Sequence, residues 1–134
     1  MKNIHTYLFE QLKEKKPLAL ATIVETKGST PQVTGASALF SLKGLLEGTL
    51  GGGLLEADAQ KEAQRTLKDM ASVLSEFTLR DDISDEGGAI CGGEVRVLID
   101  ATPEEYRDTF RMLSQSLEQR RPGILATFIN ELPK

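Results

Sequence analysis

The chain has 134 residues, of which 40% are hydrophobic, 27% charged and 5% aromatic, and its formal net charge is -4. That length suits one domain with a core built mostly of Leu, Ile, Val and Ala, and the negative balance argues against a nucleic-acid partner, whose phosphates need lysines and arginines to neutralise them. The single cysteine, Cys91, excludes a disulfide framework within the chain. No apolar run approaches a membrane-spanning length and Met1 to His5 carries no signal-peptide core, so a cytoplasmic protein without a membrane partner is expected.

Ile4, Tyr7, Leu8 and Leu12 recur at helical spacing and predict a helix over residues 4–16, ended by Pro17. Leu18 to Thr26 is apolar and partly β-branched and reads as a buried strand. Lys27 to Gly35 is rich in Gly, Ser, Thr and Pro and reads as a loop. Ala36 to Ser41 and Leu45 to Leu50 read as a hairpin turned at Lys43-Gly44. Gly51-Gly52-Gly53 then leads into a helix whose apolar stripe is Leu55, Ala59, Ala63, Leu67 and Met70. Ser72 to Arg80 and Glu94 to Asp100 alternate as strands, with a polar loop from Asp81 to Gly92 between them. Thr102 as a cap, Pro103 and two acids open another helix that runs to about Gln119. Ile124 to Asn130 is predicted as a last strand. The expected fold is mixed α/β (α+β): a partly antiparallel sheet of five or six strands with about three helices packed on it.

Lys15 to Val24 has an echo in Arg120 to Ile129, with Pro17 and Pro122 lying 105 positions apart. At the same offset Leu8 and Leu12 map onto Leu113 and Leu117. A helix-Pro-strand unit therefore starts twice, although any amphipathic helix feeding a buried strand shares this pattern. The basic clusters Lys13, Lys15, Lys16 and Arg120, Arg121 sit where helix C-termini favour positive charge.

Three glycine-bearing segments carry the candidate chemistry. Gly28-Ser29-Thr30-Pro31 follows a buried strand, where hydroxyls and main-chain N–H groups can meet an anion; a plain turn at Pro31 explains it equally. Gly51-Gly52-Gly53 joins a strand to a helix start, whose unpaired N–H groups and partial positive charge favour phosphate. It matches neither the P-loop nor the dinucleotide glycine pattern. Glu56, in the first turn, would repel a phosphate; it suits a neutral donor on a ligand, or a brace for the glycine loop. Cys91-Gly92-Gly93 enters a strand, where Cys91 is either a small buried hydrophobe or an accessible thiol in a main-chain cradle. Asp81, Asp82, Asp85 and Glu86 read as a solvated loop, and His5, the only histidine, reads as a helix-surface residue. No nucleophile-base arrangement assembles, so no catalytic residue and no metal ligand is assigned.

Taken together, Ala21 to Pro31, Gly35-Ala36, Gly48 to Glu56 and Cys91 to Glu94 resemble, in order and spacing, the XdhC/CoxI family of accessory proteins for molybdenum hydroxylases. The resemblance implies a cofactor-binding chaperone rather than an enzyme. It would bind molybdenum cofactor (molybdopterin), assist its sulfuration and pass it to an apo-xanthine dehydrogenase-like hydroxylase. A cysteine desulfurase and a second copy of the chain are the further partners it implies. The cofactor-binding residues it points to are Gly28, Ser29, Thr30, Gly51, Gly52, Gly53, Glu56, Cys91, Gly92 and Gly93. Family members usually carry a C-terminal Rossmann-like domain, so residues 1–134 are expected to be the N-terminal domain without it. The sequence departs from the family at Gln32, where a basic residue is usual, and at Leu54, where CoxI-like members often have Cys. Two other readings stand beside this one: an enzyme acting on a nucleotide or phosphorylated small molecule with Glu56 as acid or base, and a docking or dimerisation module for the hydroxylase built on the terminal strand.

Overall fold

The computed structural model describes residues 3–79 and 92–129. Helix α1 spans Ile4–Gln11, opened by the Asn3 side chain, which accepts the His5 N–H at 2.8 Å. It tightens into a 3-10 turn at Leu12–Glu14 and closes on Lys15, which is left-handed at φ 55°, so the helix ends earlier than the predicted Lys16. Strand β1 (Ala19–Lys27) is followed by a hairpin of β2 (Ser37–Ser41) and β3 (Gly44–Gly48), turned at Leu42 and Lys43. Helix α2 is Gly53–Asp69, strand β4 Val73–Thr78 and strand β5 Glu94–Asp100. A 3-10 turn at Pro103–Tyr106 leads into helix α3, Arg107–Glu118.

The five strands form one sheet in the order β3-β2-β1-β5-β4, and every neighbouring pair is antiparallel. The fold is thus the expected α+β class, at the lower of the two expected strand counts. Alternation along β1 sends Ala19, Ala21 and Ile23 to one face and Leu20 to the other. On the first face α2 lays Leu55, Ala59, Ala63 and Leu67 against Ala38, Phe40, Val97 and Ile99. The alanines on both sides let helix and sheet approach closely, which is how a core poor in aromatics closes. On the second face α1 and α3 pack on each other and bury Leu8, Leu12 and Phe110 against Leu18, Leu20 and Leu39.

Three local expectations are corrected. Met70 does not belong to the α2 stripe: it is the left-handed C-cap of α2 and is 52% exposed. Thr102 makes no side-chain cap bond; its N–H instead donates to Asp100 Oδ1 at 2.9 Å. The strand predicted from Ile124 does not form over 124–129, where the chain is irregular, with Ile124 96% and Phe128 88% exposed. A strand exists only where an edge pairs with it, and among the described residues none does here. Residues 80–91 and 130–134, which include Cys91 and the acids Asp81, Asp82, Asp85 and Glu86, lie outside the described residues.

Candidate functional site

The three glycine segments lie far apart in sequence, and the sheet brings them together. β1 runs antiparallel to β5 with Lys27 opposite Glu94, so the loop leaving β1 meets the residues entering β5. There a Cβ on Gly28 would overlap the carbonyl oxygen of Gly92, and a Cβ on Gly93 would overlap the carbonyl oxygen of Ser29. Only residues without side chains allow two main chains to approach this closely. The second segment joins through Pro31: a Cβ on Gly51 would lie 2.6 Å from Pro31 Cγ. Gly28, Ser29, Gly51, Gly92 and Gly93 therefore share one locus, with Gly52 and Gly53 next in the chain.

Gly52 and Gly53, like Gly92 and unlike Gly28, Gly51 and Gly93, have open space where a Cβ would be, with nothing among the described residues within 4 Å. Gly52 is the N-cap of α2, at φ 74° and ψ -166°, a region essentially reserved for glycine. Among the described residues no side chain caps α2, so there the first N–H groups of this 17-residue helix carry their partial positive charge without a side-chain partner. Glu56, the one acid in the first turn, turns back onto the loop: its Oε1 accepts the Thr49 hydroxyl at 2.8 Å and the Leu50 N–H at 2.9 Å. Thr49 Oγ1 in turn accepts the Gly51 N–H at 2.9 Å. Of the three roles open to Glu56 from sequence (ligand contact, brace, and acid or base), the brace is the one these bonds fit. Thr49 is the hub that sequence reasoning missed, and its place seven residues before an acid in a helical first turn was the available signal.

The hydroxyls are unequal. Thr30 is half-buried and its Oγ1 donates to the Gln32 carbonyl at 2.9 Å, tying the loop to itself, whereas Ser29 is exposed. Among the described residues, the cations near the locus, Arg96 and Lys27, are already engaged. Arg96 donates to Glu25 at 2.9 Å and lies 3.6 Å from Glu76, and Lys27 is 3.7 Å from Glu25. The hydrogen bond from Arg96 holds the Glu25 carboxyl below the ordinary glutamate range, so this ion pair is formed at neutral pH. An anion at the glycine locus would be met by main-chain N–H groups and by a hydroxyl. His5 is not a free surface group: its ring is stacked on Phe110, with centroids 6.2 Å apart, and burial lowers its pKa. Among the described residues no group of three or more His, Cys, Asp or Glu could hold a metal ion, and no helix is long and apolar enough to cross a membrane.

The comparisons with known proteins agree with one another. The model of the XdhC and CoxI family matches residues 11–78, which is half of the chain and includes the first two glycine segments. A protein of Bacillus subtilis (strain 168) described as a probable xanthine dehydrogenase subunit is 34% identical over 119 residues, covering 87% of this chain and 36% of that protein. The uncharacterized protein YqeB of Escherichia coli (strain K12) is 32% identical over 97 residues, covering 72% of this chain and 18% of that protein. A crystal structure described as a xanthine dehydrogenase from Bacillus halodurans superposes with a TM-score of 0.70 at 29% identity, over 86% of this chain and 35% of that one. The chain thus spans about a third or less of the length of these relatives. Family model, relatives and fold lead to one statement: this chain belongs to the XdhC and CoxI family.

Proposed function

We propose that this chain is the cofactor-handling domain of an accessory protein that binds molybdenum cofactor, supports its sulfuration and delivers it to a xanthine dehydrogenase-type hydroxylase. One observation carries the reading: three separate glycine segments converge beside the uncapped start of α2, with open space over Gly52 and Gly53. A pterin dithiolene with a terminal phosphate needs such a place, where main-chain N–H groups meet the phosphate and no side chain blocks approach. The names of the relatives, two of which mention xanthine dehydrogenase, support the partner class. Glu56 is engaged in bracing Thr49 and Leu50, which suits a binding domain better than the alternative enzyme that uses it as acid or base.

The test is anaerobic binding of molybdenum cofactor to the chain and to Gly53→Asp. Gly53 has φ 60°, where a side chain adds strain, although its Cβ meets nothing; Asp is among the residues that adopt positive φ most readily, and circular dichroism checks that the variant, which sets a carboxylate at the helix start, is folded. Loss of binding by at least tenfold in the folded variant supports a phosphate site there, and equal binding removes it. Cys91→Ser, measured alongside, decides whether the thiol takes part. A wild-type chain that binds no cofactor, when a full-length relative does, refutes the assignment of the site to this domain.

A further inference from the structure

The sequence echo has a counterpart in the backbone. Lys15, which closes α1, and Arg120, which closes α3, both adopt the left-handed conformation at φ 55°, and they are 105 positions apart, the offset of the echo. In each case a proline follows two residues later and an apolar segment follows that. Met70, which caps α2, is left-handed as well, so the conformation is a common helix ending in this fold; the proline two residues on, within the echo, is what sets Lys15 and Arg120 apart from it and marks the two connections as equivalents. After the first, the chain becomes β1, paired on both sides. After the second, Gly123 to Ile129 carries the equivalent residues without a paired strand among the described residues: Ile124, Leu125, Ala126, Thr127, Phe128 and Ile129 stand where β1 has Ala19, Leu20, Ala21, Thr22, Ile23 and Val24. The helix shares the deficit, since Leu117 is 39% exposed and its equivalent Leu12 is 6% exposed.

A place for such a segment exists on the sheet. Among the described residues nothing pairs with the outer edge of β4. An open groove of about 610 Å³ is lined there by Val73, Leu74, Ser75, Glu76 and Phe77, together with Arg96 and two residues of α2. Five consecutive strand residues alternate between faces, so a groove touching all of them follows the strand's edge. β4 has six residues and an unbroken register with β5, whereas the other edge strand, β3, is interrupted by a shift in its pairing with β2. Val73 and Phe77 belong to the α2-side core yet are only partly buried at this edge. A sixth strand would complete their cover.

We infer that Gly123–Ile129 of one copy adds as an edge strand to β4 of a second copy. Each chain offers one such segment and, in β4, one edge without a register shift, so the exchange closes as a two-fold pair. This rests on the echo and the sheet edge and stands apart from the cofactor reading.

Sedimentation of the full chain over a hundredfold range of concentration, with the double variant Ala126→Pro/Thr127→Pro alongside, tests it. Proline removes a main-chain donor and is tolerated on an edge strand only where the N–H faces solvent; the N–H groups of two successive strand residues face opposite ways, so the double variant removes one that faces β4 whatever the register. Both positions are exposed, so the fold of the single copy survives, as circular dichroism of the variant checks. The expected result is two monomer masses for the wild type and one for the variant, with slowed amide exchange at both 73–78 and 124–129 in the wild type alone. A wild type that stays at one mass, with 124–129 exchanging freely or protected within a single chain, overturns the inference. So does a dimer that the double proline variant leaves intact.

Discussion

Gly28 lies so close to Gly92 that a Cβ on the first would overlap the carbonyl oxygen of the second. Gly93 stands in the same relation to Ser29. These two approaches hold the loop after β1 against the entry to β5 and create the glycine locus. Gly93 does not need a left-handed backbone, so its substitution reports sterics alone. Gly93→Ala is expected to cost about 1–3 kcal/mol, the range for forcing a methyl into a packed place. A lower urea midpoint with an unchanged slope would show it. An unchanged midpoint would mean that the two loops part readily and that the locus is not preformed.

Glu56 and Thr49 act as one brace. Removing the carboxylate in Glu56→Ala leaves the Thr49 hydroxyl and the Leu50 N–H without their acceptor, and the expected loss is about 1.5–3 kcal/mol, the range for hydrogen bonds to a charged group. Glu56→Gln keeps an amide oxygen in place and should lose less. Faster amide exchange at Leu50 and Gly51 in Glu56→Ala, with exchange in β5 unchanged, would locate the effect in the loop. Uniform acceleration across the sheet would instead make Glu56 a residue of global stability.

Asp100 and Glu62, both half-buried, predict opposite pH responses. Burial raises the pKa of Asp100, although Thr102 N–H and the Ser72 hydroxyl, at 3.3 Å, oppose the shift. The fold therefore binds its proton more tightly than the unfolded chain, and stability is lost as pH rises from the ordinary aspartate value through the raised one. Glu62 is the reverse: its hydrogen bond with Arg65 lowers its pKa, so its contribution is present above the ordinary glutamate range and lost as pH falls through the lowered value. Asp100→Asn keeps the acceptor oxygen and removes the charge. It should be more stable than the wild type at pH 7 and no more stable where Asp100 is protonated in both states. Unfolding free energies at neutral and acidic pH measure this, and a difference that does not change with pH would contradict it.

How much was legible beforehand depended on whether the information is local. The stripe of Leu55, Ala59, Ala63 and Leu67 announced α2, because one-sided burial of a helix is written into spacing alone. The alternation from Glu94 to Asp100 gave the bounds of β5 for the same reason. Met70 continues the apolar spacing, yet it caps the helix, since the turn that the chain must make there outweighs one more apolar contact. Ile124 to Ile129 resembles β1 and has the composition of a strand. Composition cannot supply the neighbouring edge that a strand requires, and that edge is absent from its described surroundings.

The glycine segments divide the same way. Their positions, and the chemistry that residues without side chains permit, were determined by the sequence by itself, as was the family to which they point. That Gly28 meets Gly92, that Ser29 meets Gly93, and that Gly51 rests on Pro31 was decided by the tertiary structure alone. The order β3-β2-β1-β5-β4 sets β1 between β2 and β5 and so joins residues more than sixty positions apart. The physical reason is that burial patterns are properties of a segment, whereas pairing depends on two segments meeting. Only the folded sheet records which of the possible meetings occurs.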